Sequence, residues 1–147
     1  MPVYKAPLEN ISFVLNDVLN AGQLAELPGY EQATPDMIEN ILAEGAKICE
    51  EVLFPPNQSG DEEGCTFHNG TVRTPKGFKE AYQTYIQGGW TALSAEPEFG
   101  GMGMPHLVNF AFMEMICSAN MSFGMYPGLS EGAYRAILLH AIDELKH

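Results

Sequence analysis

Several groups of residues in this chain could do chemistry. Gly100-Gly101-Met102-Gly103 is a glycine cluster of the kind that wraps a nucleotide phosphate. That use needs a hydrophobic strand before it and a GxGxxG spacing. Here Pro97-Glu98-Phe99 precedes it and the spacing is GGxG, so a tight irregular turn is expected. Asp61-Glu62-Glu63 lacks the alternating spacing of a calcium loop and reads as solvated acid. His68, His106, His140 and His147 share no ligand spacing, so no metal site is expected, and His140 reads as a core histidine. Ser130 and His140 have no orienting acid at a useful offset, which leaves a hydrolase triad unsupported. Glu114 is the one acid in an apolar run. Buried alone it would be a raised-pKa base; an ion pair with Arg135 is the preferred reading. Met102, Met104, Met113, Met115, Met121 and Met125 gather in one region, as core filling or as the lining of a fatty-acyl slot. No residue is assigned a catalytic role.

Helices must position these groups. Leu8, Ile11, Leu15 and Val18 recur at helical spacing and predict a helix over 8–19, followed by a short piece over 23–27 that ends at Pro28-Gly29. Thr34-Pro35 is an N-cap followed by a proline that needs no donor. The helix it opens carries an apolar stripe from Ile38 to Leu53, a wet face that includes Glu39, Glu44, Glu50 and Glu51, and a stop at Pro55-Pro56. Residues 57–73 read as a loop containing a small type I′ hairpin at Asn69-Gly70. Thr74-Pro75 predicts another helix start, with Phe78, Ala81, Tyr82, Tyr85 and Ile86 on one face and Gly88-Gly89 at its end. A loop over 91–104 follows. Two very apolar helices are then expected, from Pro105 to about Asn120 and from about Gly128 onward, both largely buried. The fold class is all-α, with five to six helices and a small hairpin or loop insertion. Helices apolar on all sides need neighbours on all sides, so a larger protein or a tight oligomer is expected. The end of the chain, Asp143-Glu144-Leu145-Lys146-His147, carries no helix stop and reads as a truncation.

Composition narrows the class. Over 147 residues there are 7 Lys+Arg against 19 Asp+Glu, a formal charge of −12. Nucleic-acid binding and docking on an anionic membrane both need clustered cations, and neither is expected. The start has no apolar signal region, and no apolar run reaches the ~18 residues of a membrane span. Cys49, Cys65 and Cys117 form no CxxC pair. A reduced, cytoplasmic setting is expected, with Cys49 and Cys117 in the core and Cys65 exposed.

Four stretches in order carry a resemblance. These are Tyr4-Lys5-Ala6-Pro7-Leu8 with Phe13-Val14-Leu15; Ser59 to Cys65 with Asn69-Gly70 and Thr74 to Phe78; Gly88-Gly89-Trp90 with Glu96 to Gly103; and Ser118 to Phe123 with Gly128 to Ala133. Together they resemble the N-terminal helical domain of the acyl-CoA dehydrogenase family, in the branch with an N-terminal extension that includes the 3-methylmercaptopropionyl-CoA dehydrogenases. The resemblance implies an extension over 1–33 and the helical domain over 34–147. It also implies that the FAD-holding β-domain and the C-terminal domain with its catalytic glutamate lie outside this chain. FAD, an acyl-CoA substrate, an electron acceptor and a homo-oligomer then belong to the complete enzyme, and this chain alone is expected to be inactive and not to bind FAD. In the family, the stretch leading into the last helix of this domain borders the acyl chain. Here that stretch is 121–130, which makes Phe123, Met125, Tyr126 and Ser130 the candidate substrate-binding residues. The alternative is a non-catalytic helical module that binds a partner through its two apolar helices.

Overall fold

The computed structural model describes residues 3–146; Met1, Pro2 and His147, the last among the histidines considered above, lie outside the described residues. The first helix, α1 (Leu8–Phe13), runs without a break into a π turn over Val14–Val18. Ile11 and Leu15 face the core, but Val18 is 60% exposed. The wide turn, closed by Leu19 N–H on the Val14 carbonyl at 3.0 Å, rotates the stripe away before its last member. A 3₁₀ turn over Ala21–Glu26 follows.

The helix α2 (Pro35–Ile48) starts as the sequence predicts. Thr34 Oγ1 accepts from Met37 N–H at 3.3 Å, with Asp36 in the first turn and Lys47 in the last, the signs that suit the helix dipole. Ile38, Leu42, Gly45, Ala46 and Ile48 are buried. Glu50, expected on the wet face, is half-buried, because the N-terminal strap crosses it: Lys5 pairs with its carboxylate, and Ala6 N–H donates to it at 3.0 Å.

The expected stop at Pro55-Pro56 does not occur. A π turn over Cys49–Leu53 ends α2, and the two prolines open a new helix, α3 (Pro55–Glu63). Prolines lack only N–H groups that a first helical turn leaves unpaired anyway, so they begin a helix as readily as they end one. The expected loop at 57–63 is therefore helical. The hairpin forms as predicted, with β1 (Thr66–His68) antiparallel to β2 (Thr71–Arg73) and Phe67 opposite Val72. Its turn has Asn69 at φ 48° and Gly70 at φ 78°, as type I′ requires. Thr74-Pro75 does not cap a helix; α4 (Phe78–Gln87) begins after Gly77, whose φ of 86° suits glycine alone. The Phe78 ring lies over Gly60, where an added Cβ would come within 2.4 Å of it, so α3 and α4 meet at the glycine.

The last long element is α5 (His106–His140), followed by a short α6 (Asp143–Lys146). It is two helices joined at Asn120, whose φ of −158° and ψ of 91° break the helical path. The second arm therefore starts at 121, not near Gly128, and Pro127 lies inside it. Val108, Phe112, Met115, Ile116 and Ala119 on the first arm are fully buried and form the spine of the core. Trp90 packs on Phe112 at 4.6 Å between ring centroids, and Tyr85 stacks on it at 6.2 Å. The second arm departs from expectation: no residue from 128 to 146 is buried. Leu129, at 76% exposed, Ile137 and Leu139 face outward, because no element among the described residues lies over them. No helix among the described residues is long and apolar enough to cross a membrane.

Candidate functional site

The second arm of α5 carries a line of residues at helical spacing: Pro127, Ser130, Glu131, Tyr134 and Arg135. This line closes one side of a cavity of about 230 Å³. Tyr82 and Tyr85 of α4 form the opposite wall, together with Trp90 and Leu93 of the following loop and Met113 of the first arm. The walls are aromatic and apolar; the side toward the second arm is polar.

Hydrogen bonds hold this polar side. Asn109, buried on the first arm, donates to Glu131 Oε1 at 2.9 Å, and Arg135 Nε lies 3.5 Å from the same oxygen. Glu96 N–H donates to the Tyr134 hydroxyl at 2.9 Å, and the Tyr134 ring meets Phe99 edge-on. Tyr85 O–H donates to the Trp90 carbonyl at 3.2 Å, and burial pushes its phenol well above the usual range. Burial, and secondarily the Arg135 guanidinium against which its ring rests, lower the pKa of His106.

The predicted substrate residues do not all converge. Ser130 lines this cavity. Phe123 and Tyr126 line a second, wider groove of about 680 Å³ between α3, the hairpin and α4. Tyr82 separates the two, in edge-on contact with Tyr126 at 5.2 Å and tilted against Phe123 at 6.3 Å. Met125 lines neither and is 68% exposed. The reason is the start of the second arm at 121: residues expected in one irregular stretch lie on a helix and point to different sides. Of the cavity's other residues, Met113 was expected as core filling or slot lining, Tyr82 and Tyr85 as one face of a helix and Arg135 as a partner of Glu114; Trp90, Glu131 and Tyr134 were given no role at a site. The signal that could have found them is the polar line Ser130, Glu131, Tyr134, Arg135 on an otherwise apolar helix.

Three expectations about chemistry are corrected. Glu114 is exposed, and Arg135 engages Glu131 and His106 instead, on a second arm whose Tyr134 contacts Glu96 and Phe99. His140 is exposed, not a core histidine. Of the methionines, Met104 and Met115 are buried, whereas Met121 and Met125 point outward. The glycine cluster is the tight turn that its spacing implied. The N–H groups of Gly101, Met102 and Gly103 donate to the carbonyls of Glu96, Ala92 and Ala95 at 2.9–3.0 Å. A Cβ on Gly101 would sit 2.0 Å from the Ala95 carbonyl oxygen. These amides are spent within the loop and cannot cradle a phosphate. The cavity closed by the second arm, at about 230 Å³, is smaller than a dinucleotide, so that cavity by itself does not fit FAD. Among the described residues no three His, Cys, Asp or Glu side chains stand close enough to hold a metal ion.

Residues 38–147 match the model of the acyl-CoA dehydrogenase N-terminal domain. The chain is 36% identical over 143 residues to a 3-methylmercaptopropionyl-CoA dehydrogenase of Ruegeria pomeroyi. It is 31% identical over 147 residues to a butyryl-CoA dehydrogenase of Syntrophomonas wolfei. Each alignment covers 97% of this chain but 24% of the relative, so the chain spans about a quarter of their length.

Proposed function

The chain belongs to the acyl-CoA dehydrogenase superfamily through its N-terminal domain, and on that premise we propose that it forms the helical wall of an acyl slot in an FAD-dependent acyl-CoA dehydrogenase. The observation that carries this reading is the aromatic cavity closed by the second arm of α5. Tyr82, Tyr85, Trp90 and Met113 exclude water from an acyl chain, and Ser130, Glu131 and Tyr134 meet its far end or its edge. Phe123 and Tyr126 stand one aromatic layer away, and support the slot through Tyr82. FAD, the base that takes the α-proton and the electron acceptor come from outside these residues in this reading, which also includes a homo-oligomer in the cytoplasm. The similarity to the Ruegeria pomeroyi protein supports placing the chain in the branch with an N-terminal extension, here 1–33 before a domain over 34–147. A second reading, a non-catalytic module that binds a partner, is favoured by one observation: the outward apolar face of the second arm.

The test uses the polypeptide translated from the full reading frame that encodes these residues, assayed for acyl-CoA-dependent reduction of a dye acceptor. Turnover is expected, with the 147-residue chain colourless and inactive. Filling the cavity with Ser130→Phe should raise KM for the acyl-CoA about tenfold, the effect of losing roughly 1.4 kcal/mol of uniform binding. A folded variant with unchanged kinetics removes the cavity from the acyl slot. No turnover with any acyl-CoA favours the second reading.

A further inference from the structure

We propose that Asn120 is a positioning residue: by bonding at once to the Leu53 carbonyl and the Phe123 amide, it sets the direction in which the 121–140 arm carries Ser130, Glu131 and Tyr134 over the cavity. The inference deepens the reading above and rests on it only for the kinetic part of its test.

The argument starts at Leu53. In a regular helix its carbonyl would accept from residue 57. Here Asn57 N–H goes to the Phe54 carbonyl at 3.0 Å, Phe54 N–H goes back across the π turn to Cys49 at 2.9 Å, and Pro56 has no N–H to give. Leu53 is fully buried, so its carbonyl needs a donor from elsewhere in the protein. Asn120 Nδ2 supplies it at 3.0 Å. The same side chain's Oδ1 accepts from Phe123 N–H at 3.0 Å, the N-cap bond of the second arm. Asn120 is 1% exposed. Two helix interruptions far apart in sequence thus satisfy one another through one amide. An aspartate keeps the acceptor and loses the donor; a serine keeps a cap but is too short to span both sites.

The arm needs such a clamp. Its buried residues end at Pro127, and none follows as far as residue 146. Beyond that point the contacts already described, Asn109 to Glu131, Glu96 and Phe99 to Tyr134, and His106 to Arg135, tie it to the rest of the fold, all through partly exposed side chains of the arm. A small rotation at residue 120 is therefore magnified at Ser130 and Tyr134, with little packing to resist it.

Hydrogen exchange on the 147-residue chain tests the clamp, and kinetics on the full-reading-frame enzyme test its consequence. In Asn120→Ser and Asn120→Asp, exchange of amides over 124–135 should speed up at least about tenfold more than that of amides over 108–116, which speed up only as far as global stability falls. In the enzyme, KM for acyl-CoA should rise about tenfold with kcat changed less, because the arm shapes the slot rather than the reacting atoms. Adding Pro56→Ala to Asn120→Ser gives Leu53 a backbone donor; it should recover Tm but not KM. Exchange that is unchanged, or that speeds up equally everywhere, overturns the proposal, as does recovery of KM together with Tm. If the variants do not fold, the wild type decides: a Phe123 amide that exchanges as fast as exposed ones overturns the clamp, and one protected to the level of global unfolding supports it. If wild type shows no acyl-CoA turnover, the proposed function fails, and hydrogen exchange alone decides the role of Asn120.

Discussion

Gly45 sits where α2 crosses the first arm of α5, and a methyl group there would come within 2.8 Å of the Phe112 ring. Phe112 is fully buried between Tyr85 and Trp90 and cannot swing aside. Gly45→Ala should therefore destabilise the fold by about 1–2 kcal/mol, overpacking of about 1–3 kcal/mol being partly offset by alanine's better helix propensity. Urea unfolding measures it, and a stabilised variant would show that the helices can separate. Gly45 was legible as a member of the apolar stripe, but its role was not, because the stripe does not say which ring it meets. The same limit explains the cavity residues: the spacing of Ser130, Glu131 and Tyr134 is in the sequence, whereas their opposite wall, Tyr82 and Trp90, is brought up by α4 and a loop that sequence spacing does not place.

Local chemistry governs the elements where the deciding groups are neighbours in the chain. Thr34 caps α2 through its own hydroxyl, and Thr34→Ala should cost about 1 kcal/mol in thermal or denaturant unfolding. A loss below a few tenths would mean that the N-terminal packing, not the cap, sets that end. The type I′ hairpin and the stop at Gly88-Gly89 were equally legible, since each depends on residues that tolerate positive φ. Pro55-Pro56 and Thr74-Pro75 were misread for a shared reason. Proline excludes helix interiors but admits first turns, and which of the two applies depends on where the preceding carbonyls find donors. At Leu53 the donor is Asn120, 67 residues away.

At the scale of the whole molecule, burial shifts several acids in the same direction. Cys49 is fully buried, and burial pushes its thiol from the usual 9.0 to about 12. Burial also raises Tyr4, to about 12, and Tyr85. Each group is neutral in the native core at a pH where the unfolded chain has begun to lose its proton. Stability from these groups is complete below pH 9 and falls as pH rises toward 12. Denaturant midpoints at pH 7, 9 and 10.5 should therefore decline only over the upper interval, and Cys49→Ala should lessen the drop. A midpoint independent of pH up to 10.5 would mean that the core admits water around these groups. The outward face of the second arm belongs to this scale too: Leu129, Ile137 and Leu139 are exposed, an apolar surface on a chain with a formal charge of −12.

The sequence by itself determined the all-helical class, the capped start of α2, the hairpin turn, the tight glycine loop and the acyl-CoA dehydrogenase resemblance. Each depends on periodicity or on neighbours within a few residues, where backbone preferences act without help. The tertiary structure alone decided that α3 follows the prolines, that α5 breaks at Asn120, and that Ser130 faces a cavity while Met125 faces outward. Those outcomes turn on buried hydrogen-bond partners and packing contacts between distant segments, and no local pattern encodes which distant group will be there.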